Sequence, residues 1–226
     1  PVIHSFRSKT VKMQFSLSIA AAILAATASA MPVLEARQTV GTTANEFTQG
    51  GCKDVVLLYA RGTTQSGNMG EEPGPALGNA LKTRLGAARV AVQGVAYSAS
   101  LLGNLSPGGA PANEASSFRT LIGQVASQCP DARIVVSGYS QGAALVHRAV
   151  EGATAAVRAR IAAGVTFGDT QRQQDGGRIP GLDATKSLII CNSGDRVCDG
   201  TLIITPAHSG YGARASEAVD FIAARV

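Results

Sequence analysis

The 226 residues suit a single domain, long enough to bury a full α/β core. With no tryptophan and only 4% aromatic residues, that core must rest on Val, Ile, Leu and Ala. The net charge of +5 is concentrated ahead of residue 38, where Arg7, Lys9, Lys12 and Arg37 face only Glu35. The rest of the chain has no Lys/Arg block and no aromatic platform beside its arginines, which argues against a nucleic-acid surface.

Met13 opens a stretch whose apolar centre is Ile19 to Ala26 and which closes on Ala28-Ser29-Ala30, a small-residue cleavage site, with Lys9 and Lys12 just ahead. This is the pattern of an export signal, and its apolar centre is too short for the roughly 20 residues of a membrane span. The division expected is therefore an extraneous leader over 1–12, a signal peptide over 13–30, a propeptide over 31–37 and a catalytic domain over 38–226. A secreted, extracellular protein is expected, without stable membrane insertion.

Gln38 to Gly51 is polar and Gly/Thr-rich, and reads as a mobile lead-in. Asp54 to Ala60 is a continuous apolar run of strand length, suited to burial on both faces, and Arg61 to Thr64 turns the chain. Leu77, Leu81 and Leu85 mark one face of a helix. Val90 to Val95 is a second strand, and Ser98 to Ala112 a Gly/Pro/Ser/Asn loop carrying Leu101, Leu102 and Leu105. Phe118, Leu121, Ile122 and Val125 give a helix that Cys129-Pro130 ends.

Arg133 to Val136 begins a third strand, which runs into Gly138-Tyr139-Ser140-Gln141-Gly142 and then a helix expected to reach about Ala156. Ile161 to Phe167 and Leu188 to Cys191 are the fourth and fifth strands, and Ala215, Val219, Ile222 and Val226 share the face of a last helix. Strands alternating with helices predict a three-layer α/β/α sandwich around a five-stranded, mainly parallel sheet.

A strand ending in G-x-S-x-G and turning at once into a helix is a nucleophile elbow: the tight turn strains the serine backbone and lifts its hydroxyl clear of the sheet. A serine nucleophile needs a base and an acid to orient it. Of three histidines, His4 lies in the leader, and His147 sits about two turns down the helix after Ser140, pointing away from it. His208 remains as the base. Asp195 is favoured as the acid because it lies between Cys191 and Cys198, with Asp199 nearby and Asp169 the runner-up. The chain order Ser, Asp, His fits the α/β-hydrolase arrangement. Oxyanion donors are expected from the Gln141 N–H, which comes with the elbow, and from Thr63 after the first strand.

Four cysteines allow three pairings. Cys191 with Cys198 closes a small loop, which leaves Cys52 with Cys129; both of these precede strands and so lie at the edge opposite the chemistry. Crossed pairings would join opposite edges of the sheet.

Tyr59-Ala60-Arg61-Gly62-Thr63, Gly138-Tyr139-Ser140-Gln141-Gly142-Ala143, and Cys191-Asn192-Ser193-Gly194-Asp195-Arg196-Val197-Cys198 followed by His208 closely resemble the fungal cutinases. The likeness runs from about Cys52 to the C-terminus. It implies a small, lidless carboxylesterase acting on cutin, a polyester, and on short-to-medium acyl esters through Ser140, His208 and Asp195, with Thr63 and Gln141 as oxyanion hole. It further implies apolar lips from Leu202, Ile204 and a leucine of the 98–112 loop, taken as Leu105. No metal, no cofactor and a monomer are expected. His208 must be neutral to act as base, so activity should rise through the near-neutral range. Acetylxylan esterases share this architecture and are the nearest alternative; a non-catalytic secreted polymer-binding protein is a further one.

Overall fold

The computed structural model describes residues 1–2 and 39–226; the rest of the expected leader, including His4, and the expected signal and propeptide lie outside the described residues. The body of the protein comprises residues 37–226. In the body, helix α1 (Glu46–Gly50) precedes strand β1 (Val55–Ala60), then come α2 (Gly74–Leu85), β2 (Val90–Gly94), α3 (Ala112–Gln128), β3 (Arg133–Tyr139), α4 (Gln141–Glu151), α5 (Ala155–Arg160), β4 (Ile161–Phe167), β5 (Ser187–Ile190) and α6 (Ala215–Ala223).

The five strands form one sheet in the order β2-β1-β3-β4-β5, and every neighbouring pair is parallel. β1 shows why both faces are covered. Val56, Leu58 and Ala60 point into a core shared with Phe118 and Ile122 of α3 and Leu145 of α4, whereas Val55, Leu57 and Tyr59 point into one shared with Leu77 and Leu81 of α2 and Ile222 of α6. Successive side chains of a strand alternate in direction, so a run apolar at every position needs a helical layer on each side. Each such leucine contributes about 1.5–3 kcal/mol by leaving water.

From β1 the chain places β2 on one side and β3 on the other, so the strand order reverses between β1 and β3. The crevice beyond the carboxyl ends of two such strands is where open α/β sheets take ligands. Thr63 follows β1 and Ser140 follows β3, which brings both to that crevice. At the opposite edge, Cys52 is joined to Cys129, while Cys191 and Cys198 close the loop after β5.

Two expectations are corrected. The lead-in is packed, with Val40, Ala44 and Phe47 buried, the Val40 N–H donating to Asn79 Oδ1 at 2.8 Å, and Glu46 paired with Lys82. Its few apolar residues show no periodicity because they reach the core from an irregular path. The helix after Ser140 ends at Glu151 rather than near Ala156. A Cβ on Gly152 would stand 2.1 Å from Nη1 of Arg119, and Thr154 restarts the chain as α5 by accepting the Val157 N–H at 3.3 Å.

Candidate active site

Ser140 has φ 56° and ψ −118°, a backbone conformation that costs a non-glycine residue about 1–3 kcal/mol. Its flanking glycines make the turn possible: a Cβ on Gly138 would lie 2.3 Å from the Gly142 carbonyl oxygen, and one on Gly142 would lie 2.1 Å from that of Ala60. Neither neighbour is a side chain that could swing aside. The strained serine caps α4, and its N–H donates to the Phe167 carbonyl at 3.0 Å, tying the elbow to the end of β4.

Ser140 Oγ lies 3.0 Å from Nε2 of His208, and Nδ1 of His208 lies 2.8 Å from Oδ2 of Asp195. All three side chains are buried or nearly so. The His208 ring is packed on two sides, stacked on Tyr139 at 5.1 Å and seated against Gly168, where a Cβ would fall 2.9 Å from Cε1. The Tyr139 hydroxyl donates to the His208 carbonyl, and Asn192 Nδ2 donates to the carbonyls of Ala207 and Ser209 at 2.9 and 3.1 Å, so the loop carrying the histidine is held by its backbone. The carboxylate of Asp195 is fixed as well: Oδ1 accepts the Val197 N–H at 3.0 Å, and Oδ2 accepts the Tyr211 hydroxyl at 2.6 Å.

Tyr139 and Asn192 lie inside the quoted motifs but their roles were not legible there, and nothing in the local sequence marks Tyr211. Burial, with the hydrogen bond to Asp195 adding to it, pushes the Tyr211 hydroxyl well above the usual tyrosine range and keeps it a donor. Tyr211→Phe is expected to lower kcat about tenfold, because it frees one lone pair of a buried carboxylate while leaving Nδ1–H on His208. Steady-state kinetics on a soluble ester checks this; an unchanged kcat would make the tyrosine a packing residue.

The second histidine shows by contrast what His208 can do. His147 is fully buried, with Nε2 2.9 Å from Asp169 Oδ2 and Nδ1 2.7 Å from Asp175 Oδ2. Both ring nitrogens face carboxylates, so both must donate, and the ring is held as an imidazolium. Burial opposes that charge, but the charges and hydrogen bonds of Asp169 and Asp175 outweigh it and push the imidazole up to about 9. Asp169, the runner-up acid, is therefore engaged by His147 and not by His208. His208 faces one carboxylate and one hydroxyl, which leaves Nε2 free to accept a proton.

Above these groups lies a cleft of about 570 Å³. Thr63, Asn104, Leu105, Ser140, Leu202 and Ile204 are among its walls. Asn104 Nδ2 donates to Thr63 Oγ1 at 3.0 Å and to the Leu101 carbonyl at 3.1 Å, which fixes the threonine hydroxyl. Gln141 Nε2 donates to the Ser100 carbonyl at 2.8 Å, anchoring the 98–112 loop to the elbow. The rim is apolar and open to water: Leu101, Leu102, Leu105, Leu202 and Ile204 are each more than half exposed. Among the described residues no group of three or more His, Cys, Asp or Glu side chains is placed to hold a metal ion.

Such a site can take a proton from a serine hydroxyl at its floor while offering apolar surface at its mouth. Comparisons with known proteins identify the family. The Cutinase family model matches residues 51–226. The chain is 92% identical to Cutinase CUT2 of Pyricularia oryzae over 214 residues, 95% of this chain and 100% of that protein. It superposes on Trichoderma reesei cutinase, solved in complex with a C11Y4 phosphonate inhibitor, with a TM-score of 0.74 and 36% identity, covering 82% of this chain and 80% of that one. The catalytic core domain of acetyl xylan esterase from Trichoderma reesei shares the fold, at a TM-score of 0.59 and 22% identity over 77% of this chain and 100% of that one. The chain belongs to the cutinase family and is a carboxylic ester hydrolase.

Proposed function

We propose that Ser140 is the nucleophile, His208 the general base and Asp195 the residue that orients it, and that the substrate is cutin or a soluble ester of short to medium acyl chain. The observation that carries this reading is the unbroken path from Ser140 Oγ through His208, at 3.0 Å, to Asp195, at 2.8 Å, at a strained elbow. His208 takes the serine proton as Oγ attacks the ester carbonyl. The oxyanion is received by the Gln141 N–H at the start of α4 and by Thr63, whose hydroxyl Asn104 orients. The alcohol leaves with the proton from His208, and water then releases the acid by the same steps in reverse order.

The exposed leucines and Ile204 of the rim favour an acyl chain over a carbohydrate, which would need polar partners there. The same apolar mouth suits a polyester surface. We assign secretion from the expected signal over 13–30, with a propeptide over 31–37 and a catalytic domain over 38–226 that acts as a monomer. Two disulfides fit an oxidising compartment.

The test compares p-nitrophenyl butyrate hydrolysis with acetate release from acetylated xylan. The expected result is a kcat/KM for butyrate at least about tenfold above that for acetate esters of p-nitrophenol, since each buried methylene adds roughly 0.8 kcal/mol, and no acetate from xylan. Release of acetate from xylan at a comparable rate would reassign the substrate to acetylated polysaccharide.

A further inference from the structure

The loop that follows β4, residues 168–177, touches both partners of the proposed proton transfer. Gly168 seats the His208 ring, and Thr170 lines the cleft and directs its hydroxyl at the Ser140 carbonyl, 3.4 Å away. Beyond them Gln171 closes against the 98–112 loop, where a Cβ on Gly109 would meet its Nε2 at 2.6 Å. Two neighbouring side chains of α4 fasten the loop: Arg148 pairs with Asp175, and His147 reaches both aspartates. His147 bridges Asp169 and Asp175, while Asp169 also accepts the Thr166 hydroxyl at 2.5 Å and the Gln171 N–H at 2.8 Å.

We propose that His147, as a cation shared between Asp169 and Asp175, is a positioning residue that clamps the 168–177 loop onto α4 and so holds the His208 seat and the Thr170 wall of the cleft. The inference rests on the reading of Ser140 and His208 as nucleophile and base. A neutral imidazole has one N–H and cannot donate to two carboxylates, so loss of a single proton undoes one end of the clamp and leaves a buried carboxylate facing a lone pair.

The charged groups around the ring are few. Asp169 and Asp175 face it from the loop, and on α4 itself Arg148 reaches Asp175 and Glu151. Of the elements packed against α4, the strands β1 and β4 have no charged residue, and the only one in β3 is exposed Arg133 at its far end. On α3, Arg119 lies against Gly152, and Glu114 is engaged by Ser98.

The sign of the pH dependence follows. The imidazole binds its proton more tightly folded, at about 9, than in the unfolded chain, at about 6.5. Its contribution is complete below about pH 6.5 and is lost as pH rises through about 9.

The experiment measures kcat/KM on a soluble p-nitrophenyl ester across the alkaline range, with amide hydrogen exchange of the loop corrected for its intrinsic rate. The wild type is expected to lose activity reversibly with a midpoint near 9, as exchange in 168–177 rises. In Asp175→Asn the amide oxygen still accepts from Nδ1 but one charge is gone, so the midpoint should move to lower pH. His147→Gln should lose the alkaline step and lower neutral-pH activity about tenfold, the effect of a slightly displaced base.

An unshifted midpoint in Asp175→Asn, or wild-type kcat/KM in His147→Gln, overturns the clamp. Asp175 lies at the edge of the cluster, so its variant decides the matter if His147→Gln does not fold. Phosphonate labelling of the wild type at neutral pH separates the two readings. No label at Ser140 removes the nucleophile assignment, whereas a labelled serine with unmoved pH profiles removes only the clamp.

Discussion

Ser140→Ala is expected to lower kcat on p-nitrophenyl butyrate by about 10⁶-fold, with no covalent capture of a phosphonate ester. Loss of the nucleophile leaves only the oxyanion donors and the cleft, which polarise the carbonyl for direct attack by water. The substitution removes one oxygen from a site whose backbone is imposed by Gly138 and Gly142, so the thermal unfolding midpoint should stay close to wild type. Comparing kcat with the melting curve of the same preparation makes the test clean. A folded variant that kept more than about a hundredth of the activity would place the nucleophile elsewhere.

The second large effect is expected from Asp195→Asn, at about 10⁴-fold in kcat. The carboxylate accepts three hydrogen bonds, from Val197 N–H, the Tyr211 hydroxyl and His208 Nδ1. An asparagine amide must put its NH₂ group against one set of these donors. With NH₂ towards His208, the ring has to accept at Nδ1 and carry its proton on Nε2, where it cannot take the one from Ser140. With NH₂ on the other side it meets the Val197 N–H, leaving two donors opposed in a buried loop. The variant should remain labelled by a reactive phosphonate, but slowly. Activity within about tenfold of wild type would show that Asp195 does not set the tautomer of His208. Asp169→Asn gives the comparison: it weakens the His147 clamp but leaves the Asp195–His208 contact in place, so its loss should stay near tenfold rather than about 10⁴-fold.

The outcome at Asp169 shows how far local sequence reaches. Asp169 and Asp195 both follow a strand, at the same edge of the sheet, so spacing alone ranked them without separating them. The disulfide between Cys191 and Cys198 was a reason to favour Asp195. The decision belongs to packing: His147, discarded because it points down its helix, reaches Asp169 across the layer between α4 and the loop after β4. Two histidines and three aspartates thus sort into one pair with a free ring nitrogen and one cluster with none. No periodicity could reveal that, because the partners are 22 and 28 positions apart on different elements.

The lead-in teaches the converse. Its polar, glycine-rich composition suggests a mobile segment, yet Phe47 and Val40 fill opposite cores and Glu46 also accepts the Val92 N–H at 2.9 Å, covering the edge strand β2. An exposed sheet edge leaves backbone groups unpaired, and a neighbouring segment that covers them gains order its own composition would not supply.

The amino-acid sequence by itself determined the layered fold, the elbow, and the three residue types and order of the proposed triad, because apolar runs, glycine pairs and motif spacing act over a few residues or one element. Only the tertiary structure decided which aspartate meets which histidine, which leucines rim the cleft, and which hydroxyls and amides hold the site residues in place. Those choices depend on where the parallel strands bring their carboxyl ends together, and on the rule that a buried charge must find a partner in whatever element the fold sets beside it.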